Sequence, residues 1–199
     1  MSITTRIIGP QDHGRRMSLV EFEPAEVQPG YCYELSRGVV AVSDVPNFRH
    51  LAQVTAIKRQ LGAYDLAHSG TLHTVASGGE CKILLAELES ERHPDLVVYQ
   101  TPPPAQENNW AAWIPEIVIE VVSPGSEQRD YVEKREEYLA FGVREYWIVD
   151  ADRQELLILQ RSRGRWSPRI VRPPEVYRTQ LLPGFEFACE QVFQAAASR

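Results

Sequence analysis

The apolar positions of the chain fall into short continuous runs and into helical steps, a pattern typical of strands that alternate with helices. Residues 116–122 (EIVIEVV) and 145–150 (EYWIVD) are nearly continuous apolar runs and predict two buried strands. Residues 127–141, between them, carry a charged helical pattern that Gly142 closes. This order predicts a pair of parallel strands joined by a right-handed helical crossover.

The segments on either side of this unit predict further strands and helices. On its N-terminal side they are a hairpin over 31–44, an amphipathic helix over 48–61 that Gly62 ends or interrupts, a sheet edge and turn over 82–90, and a strand over 93–100. On its C-terminal side they are a second hairpin over 155–171, then a last strand and a short helix over 182–193.

Together these elements predict a mixed α/β (α+β) fold in which helices flank a central mixed sheet. Residues 30–199 are enough for a single domain with one sizeable core. Residues 1–29 have weak periodicity and several Gly and Pro residues, which predicts a loosely ordered N-terminal arm.

Composition and charge narrow the class of protein. No apolar run approaches the roughly 18 residues of a membrane span, so we expect no membrane association. The three cysteines are scattered without C-x-x-C pairing, and the first residues lack the apolar core of a secretory signal, so we expect reduced thiols in a cytoplasmic protein. The net charge of -6 argues against nucleic-acid binding over the whole surface but allows a nuclease, whose acids lie in its site.

Glu120 stands out because a carboxylate inside a buried strand is costly unless something binds it. Asp95 begins the apolar run of residues 93–100, so the two carboxylates can meet at one end of the sheet if the strands are neighbours. Carboxylate oxygens suit a hard divalent cation such as Mg²⁺ or Mn²⁺, which takes substrate phosphate as a further ligand. Taken alone, Glu120 fits a structural ion pair equally well, and Asp95 fits a turn residue.

The helix after this strand offers a cation. Asp130, Lys134 and Tyr138 step by four and share one face of the helix. The Lys134 side chain could orient an attacking water or, as the neutral amine, deprotonate it, or it could be a solvated helix charge. Tyr138 could hydrogen-bond a phosphate or pack, Ser123 could touch a phosphate or, as we favour, cap the turn before the helix, and His50 could face the site entrance.

The motifs P-D, E-V-x-S-P, D-x-x-x-K-x-x-x-Y and G-V-x-E-Y-W-I-V-D, in this order and spacing, resemble those of the Uma2 family of restriction endonucleases in the PD-(D/E)XK nuclease superfamily. The resemblance covers most of residues 31–190. It implies the restriction-endonuclease-like fold, metal-dependent phosphodiester hydrolysis and DNA as substrate. It also implies that Asp95 and Glu120 bind the metal, that Glu34 can join them, and that Lys134 is the catalytic lysine.

One position departs from the wider superfamily pattern. The superfamily's lysine usually lies two residues after the second acid, where this chain has Val122. Lys134 fits a lysine supplied instead from the following helix. If Lys134 does not reach the acids, a non-catalytic binding or oligomerisation module of the same fold becomes the better interpretation.

Three further hypotheses concern the substrate, an arginine-rich segment and assembly. The chain could hydrolyse a small phosphoester rather than a polymer. Residues 161–178 hold six arginines and one acid, which could clamp a phosphate backbone or protect a solvated hairpin edge. We expect a homodimer, since an enzyme that cuts two strands needs two sites and symmetric dimers are the commonest oligomers.

Overall fold

The computed structural model describes residues 6–105 and 108–197. The strands are β1 (Ile7–Ile8), β2 (Glu26–Val27), β3 (Tyr31–Ser36), β4 (Val39–Asp44), β5 (Thr74–Ala76), β6 (Ile83–Leu85), β7 (Ser90–Arg92), β8 (Leu96–Tyr99), β9 (Ile117–Val121), β10 (Glu145–Asp150), β11 (Glu155–Ser162) and β12 (Arg165–Val171). The helices are α1 (Leu19–Phe22), α2 (Phe48–Ala67), α3 (Lys134–Phe141) and α4 (Cys189–Ala197). A π-helical turn, Arg129–Glu133, leads into α3 without a break.

The main sheet has the strand order β12-β11-β10-β9-β8-β5. Strands β9 and β10 are parallel and are joined through α3, while their outer neighbours pair antiparallel. Every residue of β9 and β10 is buried, which explains their continuous apolar runs. The predicted strand–helix–strand unit and the mixed α/β class are both confirmed.

The two faces of β9 pack against different helices. Ile117, Ile119 and Val121 belong to a core that includes side chains of α2 and α4. Val118 lies on the opposite face, in a core with Tyr138 of α3. Because strand residues alternate, Glu120 points to the same side as Val118, toward α3. Each buried aliphatic side chain of this strand contributes about 1.5–3 kcal/mol, which helps to offset the cost of burying one carboxylate among them.

A second, smaller sheet has the order β4-β3-β7-β6 and includes the predicted hairpin, with Arg37 and Gly38 both at positive φ in its turn. The predicted loose arm is wrong for residues 6–29. Strands β1 and β2 pair in parallel, and apolar side chains of this segment are buried against the small sheet: Ile8, Met17, Leu19 and Phe22. The segment is ordered because it completes a core that the sheet alone leaves open. Residues 1–5 lie outside the described ranges.

Helix α2 is longer than predicted and runs through Gly62 to Ala67. The prediction that Gly62 ends or interrupts the helix is wrong. A helical glycine costs only about 1 kcal/mol, and burial of Leu61 and Tyr64 on either side outweighs that cost. In residues 6–105 and 108–197, no helix is both long and apolar enough to cross a membrane.

The C-terminal segment differs from its prediction in one respect. The expected last strand is reduced to a single bridge between Tyr177 and Phe187, while the short helix is present as α4. Phe185 and Phe187 instead pack their rings near Trp147. Aromatic packing therefore replaces strand pairing here. The cysteines Cys32, Cys81 and Cys189 are unpaired, as expected.

Candidate active site

Glu120 is the buried centre of the site, with an exposed fraction of 2%. Its Oε1 accepts a hydrogen bond from the Tyr138 hydroxyl at 2.6 Å and lies 3.0 Å from the Lys134 Nζ. Both donors come from α3, so the helix that follows β9 returns over the strand and supplies partners for the carboxylate. These two contacts satisfy the carboxylate and reduce the cost of burying it within an apolar strand.

Asp95 lies beside Glu120, as predicted. In the antiparallel pairing of β8 and β9, Leu96 is opposite Ile119, so the residue before Leu96 reaches the level of Glu120. The Asp95 Oδ2 accepts a hydrogen bond from the Val121 N–H at 2.7 Å and lies 3.0 Å from the His50 Nε2. These two contacts fix the carboxylate at the end of β9 and bring α2 into the site through His50.

Lys134 connects three carboxylates. Its Nζ lies 3.0 Å from Glu120 Oε1, 3.5 Å from Glu34 Oε1 and 3.5 Å from Asp130 Oδ1. The prediction that Lys134 serves the site from the helix is thus supported by its position. Among the described residues, however, its ion pairs do not include Asp95, whose carboxylate is held by His50 and the Val121 N–H.

Asp130 is a fourth acid that sequence reasoning placed on the right helix face but did not assign to the site. It is 3% exposed, and its Oδ2 accepts a 2.6 Å hydrogen bond from the Ser126 hydroxyl. Ser126, rather than the predicted Ser123, is the N-cap residue, since its C=O accepts the Asp130 N–H. The four-residue spacing of Asp130 and Lys134 was the signal that could have identified this acid.

Opposite effects act on two of the carboxyl groups. Burial raises the pKa of Glu120 to about 8, and the nearby charges of Asp95 and Asp130 add to this although Lys134 opposes it. Burial also acts to raise the pKa of Glu34, but Lys134 and Arg92 outweigh it and hold that pKa at about 2. The ammonium of Lys134 is stabilised by Glu120 and Glu34, which raise its pKa despite its burial. The cluster therefore keeps Lys134 charged and Glu34 ionised. The cations around Glu120 are too few to offset its burial, so its pKa stays raised.

A buried guanidinium lies behind the site. Arg92 has no exposed surface, and its Nε lies 2.6 Å from Glu137 Oε2. Its Nη1 lies 3.3 Å from Glu34 Oε2, and its Nη2 donates to Ser36 Oγ at 2.6 Å. Since Glu137 is on α3 and Glu34 is on β3, Arg92 ties the lysine helix to the small sheet. Sequence reasoning missed Arg92 and Glu137, because nothing in the local pattern distinguishes them from surface charges.

The remaining predicted residues take different places. Ser123 and His50 line an open groove of about 1590 Å³ that runs over the acids between the small sheet and α3. Tyr138 does not line this groove: it is fully buried and its hydroxyl is bonded to Glu120, which favours the packing alternative over the phosphate contact. Although burial lowers the pKa of His50, its hydrogen bond to Asp95 raises the pKa above its usual value.

The chemistry of this donor set fits a divalent cation. Carboxylates of Glu34, Asp95, Glu120 and Asp130 converge on one end of the groove, and their ion pairs are with Lys134, Arg92 and His50. Hard oxygen ligands that outnumber the cations around them suit Mg²⁺ or Mn²⁺. In the described parts of the chain no three His, Cys, Asp or Glu side chains are yet arranged as a metal-binding group, and the Lys134 ammonium lies between the acids.

Comparisons with known proteins agree with the predicted resemblance. The family model Uma2, described as "Putative restriction endonuclease", matches residues 19–190, which include all four acids and Lys134. A solved structure with a similar fold is that of "a putative nuclease belonging to DUF820" from Anabaena variabilis ATCC 29413. The two chains are 16% identical with a TM-score of 0.73, over 90% of this chain and 99% of the other. No curated protein matches the chain. The structural likeness shows that the two chains share a fold.

Proposed function

The chain belongs to the Uma2 family, and on that premise we propose that it is an endonuclease that hydrolyses phosphodiester bonds in DNA with the help of Mg²⁺ or Mn²⁺. The observation that carries the proposal is the position of the Lys134 Nζ, 3.0 Å from Glu120 Oε1 at the base of a groove lined with acids. Lys134 would therefore take the role of the lysine that the superfamily usually has at the position of Val122.

Each residue has a distinct role in the proposed reaction. Asp95 and Glu120, together with Glu34, would hold the cation, which when bound lowers the pKa of a water and stabilises charge on the phosphate. Lys134 orients the attacking water and offsets the negative charge that develops on the phosphoryl oxygens. Tyr138 and His50 hold the carboxylates of Glu120 and Asp95 in place.

The proposal is tested by incubating the protein with plasmid DNA and Mg²⁺ or Mn²⁺. We expect metal-dependent nicking or linearisation that falls by about 10²–10³-fold in Lys134→Ala and in Glu120→Ala. Lys58→Ala is the matched control, because Lys58 lies on the exposed side of α2 and bonds to Ser77. Absence of cleavage by the parent protein on duplex, single-stranded and branched DNA would overturn the proposal, as would equal loss in the Lys58 variant.

One observation favours a non-catalytic binding module as a second candidate. Lys134 fills the space between the acids and forms no ion pair with Asp95 in the described structure. Calorimetric titration with Mg²⁺ and Mn²⁺ separates the two candidates. Binding that Asp95→Asn abolishes supports the nuclease; no binding at millimolar metal supports the module.

The large open groove offers a small phosphoester no enclosing pocket, so a small-molecule hydrolase receives no support from it.

Assembly follows from the same proposal. A duplex nuclease with one site in each chain cuts both strands most simply as a homodimer. Light scattering coupled to size-exclusion chromatography, with and without duplex DNA, measures this directly. A monomer in both conditions would contradict it. A cytoplasmic location remains a prediction from the composition.

A further inference from the structure

The groove over the acids contains few cations that a phosphate could meet. Acidic side chains outnumber Lys and Arg along its wall. Of its three Lys and Arg side chains, Lys134 is buried among carboxylates, and Arg37 is paired with Glu136 and Glu137. The third is Arg129, which takes part in no ion pair within the described residues, and whose Nε is buried without a hydrogen-bond partner.

The π-helical turn places Arg129 beside the lysine. The N–H of Lys134 donates to the C=O of Arg129, five residues back. In a regular α-helix, side chains five positions apart point about 140° away from each other. The wider turn reduces this angle and brings Arg129 to the groove side of the helix, where both residues contribute to the wall. Such single π turns occur often at functional sites.

Electrostatics agree with this placement at the mouth of the site. Burial and Lys134 have the larger effects on the pKa of Glu34 and of Asp130, but the charge of Arg129 also lowers both. Arg129 is thus near the acid cluster without being bonded to it. An unpaired guanidinium is costly to hold against a partly buried wall unless a ligand satisfies its donors.

We propose that Arg129 binds a backbone phosphate of the nucleic acid that enters the groove, next to the bond attacked at Lys134. The inference rests on the proposed function, since it assigns a contact to the same substrate. A guanidinium presents a planar fork of donors that matches two phosphate oxygens. In a groove that is otherwise acidic, this contact and the cation held by the acids are the two attractive features for a polyanion. Arg129 is therefore a binding residue that sets where the phosphate backbone lies.

Binding is measured separately from cleavage, by fluorescence anisotropy of a short labelled DNA duplex with Mg²⁺ over a series of KCl concentrations. Every protein carries Lys134→Met, so that the duplex stays intact. We expect Arg129→Gln to weaken binding about tenfold and to reduce the slope of log Kd against log salt by about 1, because one phosphate contact is lost. Arg129→Lys keeps the charge, so it should retain the slope and lose only part of the affinity.

The matched control is Arg135→Gln, on the same helix but outside the groove, where the Arg135 C=O accepts a hydrogen bond from Trp166. Unchanged affinity and salt slope in Arg129→Gln would overturn the inference while leaving the nuclease proposal intact. So would an equal loss in Arg135→Gln, or a fall in melting temperature with an unchanged salt slope, which would make Arg129 a counter-ion of the acids. Duplex binding by none of the proteins, together with no cleavage by the parent, overturns both proposals.

Discussion

The acid cluster around Lys134 and the turn of the arginine-rich hairpin β11–β12 lie at opposite ends of the main sheet. Glu120 is level with Ile148 near the end of β10, whereas the hairpin turn follows Gln160, which is level with Glu145 at the start of β10. Both regions were candidates for contact with phosphate. Only the acid cluster brings its charged side chains together in the groove. A run of like charges along the sequence is therefore a weaker indication of a phosphate-binding site than charges on separate elements that pack against one another.

The two regions also differ in how their charges are satisfied. All six arginines of the hairpin segment are exposed, and three pair locally with glutamates: Arg169 with Glu175, Arg172 with Glu155, and Arg178 with Glu186. Exposed pairs contribute little, typically 0–1 kcal/mol. In the acid cluster the charged side chains are buried, and the loss of one ionic partner there is costly. Four experiments measure this contrast.

The largest effect is expected on stability, from Arg92→Ala. Removal of the guanidinium takes away the nearest ionic partner of the buried Glu137 and leaves only Arg37, whose Nε lies 3.9 Å away, so we expect a cost of about 3–5 kcal/mol. The same substitution at Arg178, whose side chain is 67% exposed, should cost less than about 1 kcal/mol. Urea denaturation of both variants gives the free energies of unfolding. Similar losses in the two variants would remove the distinction between the regions.

The next effect concerns metal affinity and pH. Between the ordinary pKa of 4.5 and the folded value of about 8, the folded, metal-free protein holds an extra proton on Glu120. The contribution of Glu120 to stability is therefore present below about 4.5 and is lost as the pH rises toward 8. A cation must displace that proton, so affinity for Mg²⁺ should rise about tenfold per pH unit up to about 8 and then level off.

Calorimetry at several pH values, in buffers of different ionisation enthalpy, measures both the affinity and the protons released. Glu120→Gln carries no titrating carboxyl and serves as the control. An Mg²⁺ affinity that does not change between pH 6 and 8 would contradict the raised pKa.

A smaller effect is expected from Tyr138→Phe. The substitution removes the 2.6 Å hydrogen bond to Glu120 and leaves one buried lone pair without a donor. We expect the free energy of unfolding to fall by about 1–2 kcal/mol and DNA cleavage to fall with it, since Glu120 is less well held. Tyr31→Phe, at an exposed position on β3, should leave the free energy of unfolding unchanged. Thermal denaturation and the plasmid assay measure the two quantities, and equal behaviour of both variants would show that the hydroxyl does not position Glu120.

The smallest effect is expected at the hairpin turn. Arg163→Ala and Arg165→Ala remove exposed arginines at the end of the sheet away from Glu120. Cleavage should change by less than about twofold, because exposed charges are largely screened beyond about 10 Å at physiological salt. The plasmid assay at two salt concentrations measures this. A loss comparable to that of Arg129→Gln would show that the hairpin clamps DNA after all.

The sequence predicted most of the local structure correctly where one pattern dominates. The apolar runs of β9 and β10 and the helix that Gly142 closes all appear as expected. Errors occur where tertiary burial decides the outcome. The N-terminal segment becomes ordered by packing on the small sheet, and α2 continues through Gly62 because its flanks are buried.

The candidate site shows the same division. Glu120, Asp95 and Lys134 were predicted to lie together from their order along the chain, strand alternation and helical spacing, and they do lie together. The sequence thereby determined which elements form and which side chains share a face, because periodicity is a local property. Only the tertiary structure decided that Tyr138 would bond to Glu120, that Arg92 would tie α3 to the small sheet, and that Arg129 would lie unpaired in the groove. Those outcomes depend on distances between elements far apart in the chain, which only packing sets.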